Sequence, residues 1–235
     1  MSRTEKHSPA DAPAPRRRAP GAHRDAIARV VGAYTDPIIR SYSWGRFKIF
    51  RQRFLEEIGQ YLPEAGKVLD IGCGFGLFAL YFAEARPACH VHGIDLSERR
   101  IEMARAAAAR LGRRNATFAL GDARSITALD AYDAVYLLDV VHHVPVDVVP
   151  GLLRAIHAAL PVGGTLIVKD LDTHPRWQRV FAHVLDVLMS PSSPPHYWSQ
   201  DRLAELLEDV GFTVKRHAMI DYLPYPHVLF VGKKR

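Results

Sequence analysis

The stretch from Lys67 to Leu80, KVLDIGCGFGLFAL, leaves few choices to a chain that contains it. An apolar run of Val68, Leu69 and Ile71 is interrupted by one acid, Asp70, and is followed by glycines at alternate positions, Gly72, Gly74 and Gly76. Helical spacing then starts with Leu77, Phe78 and Leu80, so the stretch reads as a strand, a tight turn and the beginning of a helix. Glycine lets a backbone turn sharply and approach a ligand closely, and the first turn of a helix offers N–H groups without intrahelical partners. A small ligand is expected against this turn. Asp70 bears on its charge, because a carboxylate at a strand end repels a pyrophosphate and attracts a cation.

The rest of the chain repeats the alternation. HVHGID, His90 to Asp95, reads as a second strand, and Ser97 as the N-cap of an alanine-rich helix from Glu98 to Leu111 that Gly112 stops. A third strand, Ala116 to Leu120, runs into the turn Gly121-Asp122-Ala123, and a fourth, Ala134 to Leu138, ends at Asp139. A helix from Val146 to Leu160 leads into a fifth strand, Thr165 to Lys169, ending at Asp170, and a helix from Gln200 to Val210 precedes two closing β runs, Phe212 to Ile220 and His227 to Val231. Strands alternating with helices predict a parallel, doubly wound α/β sheet with an antiparallel closing hairpin. Two helices are expected before it, His23 to Tyr34 and Trp44 to Leu62, with TDPIIRSYSWGR as the connection between them.

In an open α/β sheet, ligands bind beyond the carboxyl ends of the strands. Here those ends carry Asp70, Asp95, Asp139 and Asp170, with Asp122 in a turn beside them. Such a rim disfavours a phosphate and favours a cofactor bearing an ammonium and a sulfonium. Asp95 lies about 20 residues beyond the glycine turn, where an acid accepts the hydroxyls of a ribose. Nicotinamide-dependent oxidoreductases share that acid, but their glycine pattern is G-x-G-x-x-G after an apolar residue, whereas this chain has G-x-G-x-G after Asp70.

Taken with GIDLS, GDA and DAVYLLDVVHHVP in this order, the glycine turn resembles that of the class I S-adenosylmethionine-dependent methyltransferases of the small-molecule type. The likeness runs from Lys67 to Lys169, and more loosely over Phe212 to Lys233. It implies a seven-stranded Rossmann-like sheet of order 3-2-1-4-5-7-6 with the last strand antiparallel. It implies further that Asp70, Gly72, Cys73, Gly74 and Gly76 surround the methionine part of S-adenosylmethionine. Asp95 would hold the ribose, Leu96, Asp122 and Ala123 the adenine, and Leu138 and Asp139 would close near the sulfur. His142 and His143 are candidates for a base that takes a proton from the acceptor. No metal is expected: no third histidine or cysteine stands near the pair in sequence, and Leu171 occupies the place of the asparagine found in the metal-dependent branch. The Asp-Pro-Pro-aromatic pattern of the nucleobase-methylating branch is also missing after the fourth strand, where the chain reads Asp139-Val140-Val141-His142.

The expected reaction is methyl transfer to oxygen, nitrogen or carbon of a small acceptor, lipophilic and aromatic ones included. Tyr42 and Arg46 before the core, and Trp177 and Phe181 after the fifth strand, are candidate walls for it. The chain is divided accordingly into a tail (1–22), a helical cap (23–62), a cofactor-binding core (66–170), a lid (171–198) and a C-terminal helix and hairpin (199–235). The 20 N-terminal residues are proline-rich and carry five basic residues against two acids, which reads as a solvated tail, with nucleic-acid binding as the sharper alternative. The net charge of +6 is otherwise ordinary. The longest apolar runs fall short of the roughly 20 residues that span a bilayer, and no secretory h-region is present, so a cytoplasmic location is expected. Cys73 and Cys89 lack the spacing of a disulfide framework or zinc site and are expected to be free thiols.

Overall fold

The computed structural model describes residues 20–49, 52–122, 132–171, 173, 196–219 and 227–235. Its centre is a seven-stranded sheet of order β3-β2-β1-β4-β5-β7-β6. In chain order the strands are β1 (Gly66–Ile71), β2 (Cys89–Asp95), β3 (Ala116–Leu120), β4 (Ala134–Leu138), β5 (Thr165–Leu171), β6 (Phe212–Met219) and β7 (His227–Lys234). The first five pair in parallel, and β7 runs antiparallel to both β5 and β6. Strand order reverses at β1, which lies between β2 and β4, so the crevice for a ligand opens there.

Period-two alternation distributes each central strand over two cores. Val68, Ala134, Tyr136 and Ile167 point to one face, where α1 (Pro20–Gly32), α2 (Pro37–Ile49), α3 (Gln52–Gly59), α4 (Leu77–Ala85) and α5 (Glu98–Leu111) contribute buried side chains. Leu69, Ile71, Val135, Leu137, Leu166 and Val168 point to the other, under α6 (Val149–Ala159) and α7 (Gln200–Val210). Strands buried on both faces have to be continuously apolar, which is why β4 reads AVYLL with every residue buried. Each fully buried leucine, isoleucine or phenylalanine contributes about 1.5–3 kcal/mol. Ser97 caps α5 through its side chain, accepting from the Arg100 N–H, and Gly112 ends that helix in the left-handed conformation.

The N-terminal region departs from expectation. The segment read as a connection is itself helix α2, begun by Pro37 and capped by Asp36, whose Oδ1 accepts from the N–H groups of Ile38 and Ile39 at 2.8 and 3.3 Å. Proline at a first helical position lacks only an N–H that would have no intrahelical partner, so Pro37 starts the helix where it was read as a break. Gly45 lies inside α2 and does not interrupt it, and α1 begins at Pro20, three residues earlier than the spacing indicates. Strand β5 runs through Asp170 to Leu171, because β7 pairs with it over that length.

Candidate active site

The chain turns from β1 into α4 over five residues, and three positive φ angles make the turn possible: +74° at Gly72, +55° at Gly74 and +79° at Gly76. Two of these glycines are also required sterically. A Cβ at Gly72 would stand 2.6 Å from a Val140 methyl, and one at Gly76 would stand 2.7 Å from the Phe118 ring. At Gly74 a Cβ would meet nothing within 4 Å. This is the point where the turn leaves room for a ligand. Backbone N–H groups of Gly72 and Cys73 both donate to the Ile94 carbonyl, at 2.8 and 3.0 Å, and fasten the turn to β2.

Asp95 ends β2 and is almost completely buried. Its Oδ2 accepts from the Gly74 N–H at 2.8 Å and its Oδ1 from the Ser97 N–H at 2.9 Å, which fixes the carboxylate plane while each oxygen retains acceptor capacity. Leu96, the next residue, is 72% exposed, and Leu120, paired with Asp95 at the end of β3, is 55% exposed. Two large apolar side chains held in solvent next to an acid form a place where a flat ring can lie. Asp122 follows in the same loop and is half-buried; Ala123 falls outside the described residues.

Asp70 sits at 3% exposure opposite Tyr136 of β4. Burial raises its carboxyl to about 8, the nearby Tyr136 hydroxyl pulling it down and Asp95 pushing it further up. Neither Asp70 Oδ2 nor the Tyr136 hydroxyl completes a hydrogen bond of normal geometry. A buried, unsatisfied carboxyl oxygen beside a glycine turn is expensive unless a cationic partner arrives. Cys73 is half-buried in the turn, its thiol raised by burial and by Asp70 and Asp95, and it is a free cysteine, as is Cys89.

Across the crevice, Leu138 is buried and Asp139 adopts a left-handed backbone, φ +58°, alone among the described non-glycine residues. Such a conformation costs on the order of 1 kcal/mol and is held here by side-chain partners. Arg46 of α2 donates to Asp139 Oδ2 at 2.9 Å, and Lys169 of β5 to Oδ1. Burial alone would raise the Asp139 carboxyl, but Lys169 and then Arg46 hold it well below the usual carboxylate range. Lys169 is completely buried and its ammonium is lowered by that burial. In the 3-10 turn that follows β4 (Val141–His143), His142 is buried and its Nδ1 bonds Asp170. The same carboxylate accepts from the His142 N–H at 3.1 Å and the Leu171 N–H at 2.8 Å. His143 is half-buried against His142, ring centroids 4.1 Å apart, and Tyr197 lies nearly parallel to His142 at 5.9 Å.

Tyr42 packs edge-on against Phe75 of the glycine turn at 5.7 Å, and the Tyr34 hydroxyl donates to the Phe75 carbonyl at 2.7 Å. Helix α2 therefore covers the turn. Trp177 and Phe181 lie outside the described residues. Tyr136, Lys169, Leu120 and Tyr197 join the constellation without having been singled out from sequence; the one signal was a lysine inside the apolar run TLIVKD. Among the described residues no cluster of histidine, cysteine and carboxylates has the geometry of a metal site, and no helix is long and apolar enough to cross a membrane. A cavity of about 600 Å³ lies at the opposite end of the sheet, between Asp133, Thr165 and Lys233, remote from this rim.

Residues 45–217 match the model of the family described as "Methyltransferase domain". O-methyltransferase rstn1 of Aspergillus nomiae is 30% identical over 175 residues, covering 71% of this chain and 74% of that protein. A probable (S)-tetrahydroprotoberberine N-methyltransferase of Papaver bracteatum is 36% identical over 82 residues, which is 35% of this chain; the match spans only 23% of that relative's length. Among solved structures, the PH0226 protein of Pyrococcus horikoshii superposes with a TM-score of 0.65 at 22% identity, over 86% of this chain and 95% of the other, and shares the fold. With the sheet order observed above, these matches place the chain in the methyltransferase-domain family, as a class I S-adenosylmethionine-dependent methyltransferase.

Proposed function

We propose that the protein methylates a small-molecule acceptor and that the rim at the carboxyl ends of β1, β2 and β4 holds its cofactor. The observation that carries the cofactor assignment is the buried Asp70 Oδ2 without a partner, beside a turn that leaves space only at Gly74. In this reading Asp70 meets the cofactor's ammonium, and Gly72, Cys73, Gly74 and Gly76 follow its methionine chain. Asp95 accepts the ribose hydroxyls, Leu96 and Leu120 sandwich the adenine with Asp122 and Ala123 at its edge, and Leu138 and Asp139 stand near the sulfur. When bound, the cofactor supplies a methyl group on a cationic sulfur, a strong electrophile.

The chain's own contribution is then alignment and exclusion of water. Helix α2, through Tyr42 and Arg46, roofs the site, and the cap assigned to 23–62 and the lid assigned to 171–198 shield the acceptor, Trp177 and Phe181 forming part of its wall. One of the packed pair His142 and His143 takes the acceptor's proton. The free thiols fit a reducing compartment, and we place the protein in the cytoplasm. Isothermal titration calorimetry tests the reading. S-Adenosylhomocysteine should bind with micromolar affinity and NADH should not. Binding of NADH with no response to S-adenosylhomocysteine would sink it.

A further inference from the structure

Ionisable side chains are concentrated beyond the cofactor rim. Of the ten buried polar residues among those described, four lie together at the carboxyl end of β5, the start of β7 and the turn after β4: His142, Lys169, Asp170 and His227. Asp139 and Arg46, both partly exposed, complete the cluster through the ion pairs with Lys169 and with each other. His227 lies across from Leu171 on β7, and burial followed by the charge of Lys169 holds its imidazole well below the ordinary range, hence neutral. The formal inventory is two cations, two carboxylates and imidazoles.

Such a cluster is costly to maintain, since buried ion pairs are often replaced by apolar side chains with no loss of stability. It is also unsuited to a wholly apolar acceptor, which would strip water from Arg46 and Asp139 and return nothing. An acceptor arriving as an ammonium would meet Arg46 and the sulfonium. A carboxylate would meet Asp139. A hydroxyl alone both donates and accepts, and so satisfies either sign of partner.

We propose that the acceptor is a neutral molecule presenting adjacent hydroxyls to this cluster, and that oxygen is the atom methylated. The proposal rests on the methyltransferase reading above and names its substrate class. Arg46, Asp139 and His143 are the partly exposed members and contact the acceptor. Lys169 sets the position of Asp139 from below. Asp170, accepting from two backbone N–H groups and from His142 Nδ1, fixes the buried His142 ring, against which the His143 ring packs at 4.1 Å. In the transfer the hydroxyl oxygen forms the bond to the methyl carbon, the carbon–sulfur bond breaks with its electron pair left on sulfur, and the hydroxyl proton passes to the half-buried His143 imidazole and on to water.

The test uses the full chain saturated with S-adenosylhomocysteine and matched probes: catechol against phenol, trans-1,2-cyclohexanediol against cyclohexanol, and benzylamine. By calorimetry each diol should bind at least about tenfold more tightly than its single-hydroxyl partner, in keeping with sites built to hydrogen-bond a hydroxyl. Methyl transfer from labelled S-adenosylmethionine should follow the same order, with benzylamine last. Lys169→Met, and Arg46→Gln as a milder variant that keeps the buried lysine, should erase the diol preference when each variant is compared while saturated with S-adenosylhomocysteine. Equal affinity for diols and single hydroxyls, or faster methylation of benzylamine, overturns the acceptor class with the methyltransferase reading intact. Failure of S-adenosylhomocysteine to bind overturns the reading beneath it.

Discussion

The Gly74 N–H donates to Asp95 Oδ2 at 2.8 Å, so the acid at the end of β2 and the one glycine of the turn with open space above it are a single unit. Asp95 therefore shapes the turn, and in the proposed reading it also holds the ribose. Asp95→Ala should weaken S-adenosylhomocysteine binding by about 10- to 150-fold, the equivalent of one charge-assisted hydrogen bond at about 1.5–3 kcal/mol. Asp95→Asn keeps an acceptor for one N–H and should lose less. Titration calorimetry on the two variants checks the order, and wild-type affinity in Asp95→Ala would remove the assignment.

The glycines of the turn should separate stability from binding. Gly76→Ala places a Cβ 2.7 Å from the Phe118 ring and 2.9 Å from the Ala104 Cβ at a φ of +79°, which combines a clash with strain. We expect a loss of at least about 3 kcal/mol, or a chain that does not fold. Gly74→Ala meets nothing within 4 Å and pays only for its φ of +55°, about 1–2 kcal/mol. Its new methyl, however, projects toward the open side of the turn. Thermal melts should show Gly74→Ala folded, and calorimetry should show it at least about tenfold weaker for S-adenosylhomocysteine.

Much of this site was legible because it depends on local pattern. The glycine turn, the acids at strand ends and the Ser97 cap are each encoded within a few residues, and the alternation of strand and helix predicts which end of the sheet they share. What escaped is set by distance in sequence. Arg46 meets Asp139 across 93 positions, and His142 meets Asp170 across 28. Nothing in TLIVKD says that Lys169 is buried rather than marking a strand's exposed end; that follows only from β7 closing over β5 in antiparallel register. Helix α2 was misread for a different reason. Pro37 and Gly45 are breakers in the middle of a helix, but Pro37 stands at its first position, and an Asp36 cap fixes it there.

Glu84 should matter for acid stability. Its side chain is buried on α4 and takes Arg29 of α1 at 2.8 Å and Arg113, in the turn beyond α5, at the other oxygen, so it ties α4 to α1 and to that turn. Burial opposes the charge, but Arg113 and then Arg29 lower the carboxyl below its ordinary value. A carboxylate lowered in the folded state contributes stability above its unfolded value near 4.5, and that contribution disappears as pH falls through the folded value. Glu84→Gln should cost about 1.5–3 kcal/mol near neutrality, the range for hydrogen bonds to charged groups, with both arginines free to re-solvate. The difference between denaturant midpoints at pH 7 and pH 4 should be smaller in the variant than in the parent.

Asp70 predicts the opposite sign. Its carboxyl, raised to about 8 by burial, keeps in the folded state a proton that the unfolded chain releases near 3.8. The stabilisation from that proton is complete below about 4 and is lost as pH rises through about 8. A cationic ligand beside Asp70 favours the ionised form, so cofactor binding must expel the proton. Affinity for S-adenosylhomocysteine should therefore rise between pH 6 and pH 8, by at most about tenfold per unit, and level off above about 8, where Asp70 of the free protein is already ionised. Calorimetry at pH 6.5 in two buffers of different ionisation enthalpy should detect close to one proton released. Asp70→Asn should abolish both the release and the slope, lower affinity at pH 8, and raise the apo protein's melting temperature there by removing a buried group that resists ionisation. A slope unchanged in Asp70→Asn would move the ammonium away from Asp70 to another acid of the rim.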